Sequence, residues 1–216
     1  EDLRAIGQAA AGQVLITGGS GIALGLPDNF KRAGALSVAN NTWRGEAGPC
    51  VILSGSCSIA TREQLQIHSA DHPALEIEAA SVLNGDMTPQ RAAQWAPEQT
   101  GLPVIYTSAD PEAVKAVQAE YGRERSADAL ESFFAETARQ LTAGGVTRLI
   151  TAGGETSGAV VEGLALGQLE IGPEIDPGVP ALRAGPNLVV ALKSGNFGAP
   201  DFFAKAAAQL AQGATA

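Results

Sequence analysis

The stretch Arg148-Leu149-Ile150-Thr151-Ala152-Gly153-Gly154-Glu155-Thr156-Ser157-Gly158 decides how the rest of the chain is read. Five residues rich in β-branched and apolar side chains predict a buried strand. The glycine pair that follows predicts a tight turn, and the hydroxyl-bearing residues after it open a helix over about 157–166. The pattern recurs twice. Val51-Ile52-Leu53 runs into Ser54-Gly55-Ser56-Cys57-Ser58 and a helix from about 59 to 68. Leu188–Leu192 runs into Lys193-Ser194-Gly195-Asn196-Phe197-Gly198 and a helix over 200–211.

Working outward, helices are expected at 2–11, 88–97, 111–122 and 127–143, the last with Ser126 as its N-cap. Strands are expected at 102–107 and through the apolar stretch 74–82, with a β region over 169–183. Val14-Leu15-Ile16 before Thr17-Gly18-Gly19-Ser20-Gly21 reads as one more strand with its glycine turn. Strands alternating with helices predict an α/β fold, a three-layer α/β/α arrangement on a mostly parallel or mixed sheet. The polar, glycine-containing segment 34–49 is the best internal boundary.

Composition narrows the function. The formal charge is −9, and no basic run is present to track a phosphate backbone, so nucleic acid is not expected as the ligand. No apolar stretch approaches bilayer length, so no membrane partner is expected. Cys50 and Cys57 lack redox or zinc spacing and read as reduced thiols of a cytoplasmic protein. The chain starts at Glu1 without Met, which reads as a processed or truncated product.

In an open α/β sheet, ligands sit at the carboxyl ends of strands. Glycine lets the backbone approach an anion, and a helix N-terminus offers unpaired N–H groups with about half a positive charge. The three loops Ser54–Ser58, Gly153–Ser157 and Lys193–Gly198 suit that task, and also suit ordinary strand-to-helix turns. Hydroxyls of Ser58, Thr156 and Ser157 offer donors to phosphate oxygens or, through water, ligands to Mg²⁺. Lys193 either reaches a phosphate or snorkels at the sheet edge. No Gly-x-x-x-x-Gly-Lys-Ser/Thr motif occurs, and neither Ser58 nor Ser157 lies in Gly-x-Ser-x-Gly, which speaks against a hydrolase. His68 and His72 read as a solvated helix end rather than a metal pair. Glu170, Glu174 and Asp176 read as a solvated loop, with Mg²⁺ binding as the alternative.

Four ordered segments resemble the four-carbon acid sugar kinase family. They are Ser54–Ser58 with Thr61 and Gln64, Thr151–Gly158, Glu174–Pro180, and Leu192–Gly198 with Asp201-Phe202-Phe203. The Ser-Gly-Asn-Phe-Gly loop and Thr17–Ala23 with Gly25-Leu26-Pro27 resemble its 3-oxo-tetronate kinase branch. The resemblance implies a two-domain enzyme. Its N-terminal half binds the sugar acid and carries an Asp-Asp-x-Thr-Gly motif with the base, and its C-terminal half binds ATP. No Asp-Asp pair occurs here, so the resemblance implies the ATP half, with no catalytic residue in this chain. Residues 1–49 would join from the preceding substrate domain, and 50–216 would form the nucleotide-binding domain. It further implies ATP contacts from Ser58, Gly153, Gly154, Glu155, Thr156, Ser157, Lys193, Gly195, Asn196 and Gly198. Mg²⁺ is expected with ligands unassigned, a small acid sugar would arrive through the other domain, and a homodimer is compatible. The rival reading is a non-catalytic α/β module holding a small anion.

Overall fold

A computed structural model describes residues 1–36, 43–107 and 111–214, with the backbone alone at 111–113. The chain divides into two compact units, Glu1–Thr42 and Trp43–Ala216. Of the boundary segment expected at 34–49, residues 37–42 lie outside the described residues.

The small unit carries helix α1 (Asp2–Ala9), a 3-10 turn at Ser20–Gly25 and helix α2 (Pro27–Arg32). Gly7 and Gly25 meet backbone to backbone, closer than any side chain would allow. The Asn29 amide donates to the Gly7 carbonyl at 2.6 Å. The strand expected at Val14-Leu15-Ile16 does not form. A strand needs a neighbour for its ladder, and none pairs with these residues among the described residues of the small unit, where Val14 is 104% and Leu15 87% exposed.

The large unit is a seven-stranded sheet in the order β2-β3-β1-β4-β7-β6-β5. The strands are β1 (Cys50–Ser54), β2 (Ala74–Ile77), β3 (Val104–Thr107), β4 (Arg148–Ala152), β5 (Glu170–Asp176), β6 (Val179–Gly185) and β7 (Leu188–Lys193). Strands β2, β3, β1, β4 and β7 are parallel, and β6 and β5 add an antiparallel hairpin at one edge. The helices are α3 (Ile59–His68), α4 (Ala79–Leu83), α5 (Pro89–Trp95), α6 (Pro111–Tyr121), α7 (Arg123–Ala143), α8 (Gly154–Gly163) and α9 (Phe202–Ala211). The α/β/α sandwich with a mixed sheet is therefore as expected.

Alternation along the strands sorts two cores. Val51, Leu53, Leu149 and Val190 face Phe133 and Phe134 of α7 and Val160 of α8. Ile52, Ile150, Val189 and Ala191 face Leu65 of α3 and Phe202, Phe203 and Leu210 of α9.

Three local expectations need correction. The stretch 74–82 is strand only to Ile77, and its second half is α4. Ser126 is not an N-cap. Helix α7 begins at Arg123 behind Gly122 at φ +87°, and the Ser126 hydroxyl bonds back to the Gly122 carbonyl at 2.7 Å. Helix α8 starts at Gly154, three residues early, so Glu155, Thr156 and Ser157 lie in its first turn rather than in a loop. Among the described residues no helix is long and apolar enough to cross a membrane.

Candidate functional site

Sheet order places one natural crevice. From β1 the chain moves to β2 on one side, and from β4 it moves toward β5, β6 and β7 on the other. Strands β1 and β4 are adjacent and parallel, so their carboxyl ends flank the point where the connections diverge. The parallel β7 adjoins β4, which brings all three glycine loops to one edge.

Backbone bonds stitch these loops together. The Gly55 N–H donates to the Ala152 carbonyl at 3.1 Å, and the Gly153 N–H to the Lys193 carbonyl at 2.8 Å. A Cβ on Gly55 would overlap the Thr156 hydroxyl. Gly153, at φ +123°, faces Ser56, and Gly195 sits against the Ser56 and Ser58 side chains. Ser56 thus lies between the second and third loops, and only glycine allows this spacing.

Helix α8 opens onto the crevice without a side-chain cap, because Gly153 has none to offer. Its first intrahelical bond is Ser157 N–H to the Gly153 carbonyl at 2.9 Å, leaving the Gly154, Glu155 and Thr156 N–H groups without a helical acceptor. Gly154 and Glu155 are exposed, and the space beyond a Gly154 Cβ is open. Thr156 is buried, and the Ser157 hydroxyl meets Thr151 Oγ1 at 2.7 Å. The geometry suits an anion.

The loop after β7 is held from two sides. On α3, Ser58 caps the helix by accepting from the Thr61 N–H at 3.2 Å and donates to the Gly195 carbonyl at 2.5 Å. Thr61 Oγ1 donates to the same carbonyl at 2.8 Å. Gln64 Nε2 lies 3.0 to 3.1 Å from the Phe197, Gly198 and Ala199 carbonyls. Opposite, Asp176 at the hairpin turn accepts from the Ala199 N–H at 2.8 Å and pairs with Lys205 at 3.0 Å. Phe197 packs against Gly178 of that turn, at φ +81°. Asn196 remains exposed at the loop tip.

Lys193 neither reaches outward nor snorkels at an edge. Strand β7 is interior to the sheet, and alternation turns residue 193 with Val189 and Ala191 toward α3 and α9, where it is 0% exposed. Burial pushes its amine down to about 8. The acidic loop expectation also changes. Asp176 is buried and engaged as described, and Glu174 accepts from the Gly178 N–H at 2.7 Å. His68 is buried rather than solvated, bonded to the Leu102 carbonyl at 2.8 Å and stacked on His72. Burial holds its imidazole below its ordinary value, with the Leu102 bond opposing and His72 adding to the effect. Cys50 is buried, its thiol pushed up to about 12, while Cys57 is exposed in the first loop, and both are free. Thr61 and Gln64, quoted above only as neighbours of the first motif, prove to be anchors of the third loop. The Ser58-x-x-Thr61-x-x-Gln64 spacing was the available signal.

No group of three or more His, Cys, Asp or Glu among the described residues could hold a metal alone. The loops instead offer hydroxyls and one exposed carboxylate, Glu155, a donor set suited to Mg²⁺ that arrives already bound to phosphate oxygens and water.

A 3-oxo-tetronate kinase of Pseudomonas fluorescens is 47% identical over 216 residues, covering 98% of this chain and 50% of its own length. One of Cupriavidus necator is 47% identical over 215 residues, covering 97% and 50%. The crystal structure of a Haemophilus influenzae protein superposes with a TM-score of 0.76 at 35% identity, covering 96% of this chain and 51% of that one. The chain spans about half the length of the curated relatives it matches. Residues 51–203, which include all three loops and their anchors, match a family described as the nucleotide-binding C-terminal domain. The chain belongs to that family of nucleotide-binding domains.

Proposed function

We propose that this chain is the ATP-binding half of a kinase that phosphorylates a four-carbon acid sugar, 3-oxo-tetronate to its 4-phosphate. One observation carries the reading: three glycine loops and an uncapped helix N-terminus converge at the switch point of a chain matched almost end to end by 3-oxo-tetronate kinases. The Gly154, Glu155 and Thr156 N–H groups would hold phosphate oxygens. The Gly195–Gly198 loop, braced by Ser58 and Gln64, would shape the nucleotide pocket by close backbone approach. Glu155, the exposed carboxylate of these loops, would help to hold Mg²⁺, which would supply charge neutralisation at the phosphates.

The substrate and the base that deprotonates its hydroxyl would come from a preceding half, so positioning and charge neutralisation are this half's contribution. Residues 1–49 would join the two. The small unit carries exposed apolar residues, Leu3, Ile6, Val14, Leu15, Leu24, Phe30 and Leu36, which support a docking face on it for the preceding half. Two free thiols agree with a cytoplasmic setting.

The test is calorimetric titration of the chain with MgATP and, separately, with inorganic phosphate. Binding of MgATP well above phosphate supports the reading. Equal affinity for both would overturn it in favour of a simple anion module. Adding a separately expressed preceding half of a 3-oxo-tetronate kinase should then restore turnover of 3-oxo-tetronate.

A further inference from the structure

A buried cation normally has a carboxylate beside it. Lys193 does not. Its ammonium donates to Thr61 Oγ1 at 2.9 Å, to the Gly195 carbonyl at 3.0 Å and to the Ser194 carbonyl at 3.2 Å, all neutral acceptors. The Phe202 ring lies 5.9 Å away. The charged groups on the surrounding elements are turned elsewhere. On α3, Arg62 and Glu63 are exposed, and His68 sits at the far end against Leu102. By α9, Asp201 and Lys205 pair with one another, and Asp176 is held by Lys205 and the Ala199 N–H. Strand β4 sets Ala152 beside Lys193.

The Gly195 carbonyl is held by three donors at once, accepting from Ser58, Thr61 and Lys193. The described peptide bonds are trans, and across a trans peptide the C=O and the following N–H point in opposite directions. A carbonyl pulled inward by three donors therefore turns the Asn196 N–H outward, at the exposed tip of the loop.

We propose that Lys193 is the positioning residue of the anion seat: it sets the Gly195–Asn196 peptide with its N–H outward, and its unpaired ammonium is neutralised by the bound anion rather than by a carboxylate. This rests on the reading of the three loops as a nucleotide site, and the site so completed selects fully ionised polyphosphates. An amine that burial holds near the neutral range then gains a proton when the anion arrives.

The experiment is titration of the wild-type chain with tripolyphosphate and with MgATP at pH 7 and pH 9.5, in buffers of contrasting ionisation heat. Magnesium-bound ATP is fully ionised by about pH 7 and adds nothing of its own in this window, whereas tripolyphosphate sheds its last proton within it, so the pH dependence is read with MgATP and tripolyphosphate is compared with it at pH 9.5. The expected result is net proton uptake on binding at the alkaline end and an affinity about tenfold lower at pH 9.5 than at pH 7. Lys193→Met, checked for folding by circular dichroism, should bind about ten- to a hundredfold more weakly at pH 7, with affinity flat in pH. If that variant fails to fold, the wild-type proton uptake decides alone. Affinity independent of pH with no proton uptake overturns the proposal, as does a folded Lys193→Met that binds like wild type. Tripolyphosphate bound as tightly as MgATP, with the same uptake, supports Lys193 but removes the nucleotide reading. No anion binding by wild type at either pH overturns both.

Discussion

Lys193→Met should make the fold more stable while disabling its site. The magnitude follows from the burial of the amine. Moving the lysine from its ordinary 10.5 to about 8, a difference of about 2.5, corresponds to roughly 3 kcal/mol of penalty for carrying the charge inside. The variant removes that penalty. Against it stand the three lost donations, which together cost about 1 kcal/mol because Thr61 Oγ1 keeps the Ser58 hydroxyl, the Ser194 carbonyl keeps the Phe197 N–H and exposure of Ser194 admits water. The Gly195 carbonyl keeps Ser58 and Thr61, so it is not stranded. The net is a stabilisation of about 2 kcal/mol at pH 7, seen as a rise of about 1 M in the urea midpoint.

The pH dependence fixes the sign. Between about 8 and 10.5 the unfolded chain binds the lysine proton and the folded chain does not, so wild-type stability rises with pH across that window. The advantage of the variant must therefore shrink from pH 8 upward and be gone by about 10.5. Urea unfolding at pH 7 and pH 9.5, followed by far-ultraviolet circular dichroism, measures both. A variant less stable than wild type at pH 7, or a difference that does not change with pH, would refute the reasoning.

Glycine positions in the site should separate by geometry. Gly55→Ala drives a methyl into Thr156 and should cost about 1–3 kcal/mol of stability with loss of MgATP binding, whereas Gly154→Ala projects into open space and should leave the melting temperature within a few degrees of wild type. Because His68 is held neutral by burial, the unfolded chain takes up its proton first, so stability should fall as pH drops below 6.5; His68→Gln should flatten that slope in thermal melts, and an unchanged slope would assign the acid sensitivity elsewhere.

Much of the site was legible because its signals are local. A buried strand followed by glycine and hydroxyls announces a strand-to-helix turn wherever it occurs, and β1, β4 and β7 each carry that signature within a dozen residues. What was not legible depends on partners far along the chain. Val14-Leu15-Ile16 has the composition of a strand, but a strand exists only with a neighbour, and composition cannot supply one. Ser126 has the right chemistry for a cap, yet Gly122 with its positive φ starts the helix earlier, and the serine turns back to bond within it. Lys193 looked like an outward residue because lysine ordinarily is one. Its burial depends on Thr61, which lies 132 residues earlier, and on the carbonyls of the loop that it helps to fold. Alternation from Val189 and Ala191 did indicate the face, but the cage of acceptors that makes that face tolerable could not be read from spacing.

The three anchors on α3 have a consequence for how this protein can change over time. Ser58, Thr61 and Gln64 recur every third residue, so the helix works as a ruler laid along the loop, with a mark against Gly195 and others against Phe197 to Ala199. Each added or removed residue turns everything beyond it by about 100°. An insertion between 58 and 64 would therefore swing the later marks off the loop together. Substitutions at the exposed positions Arg62 and Glu63 leave the ruler intact, so this segment can drift freely in composition while its length stays fixed.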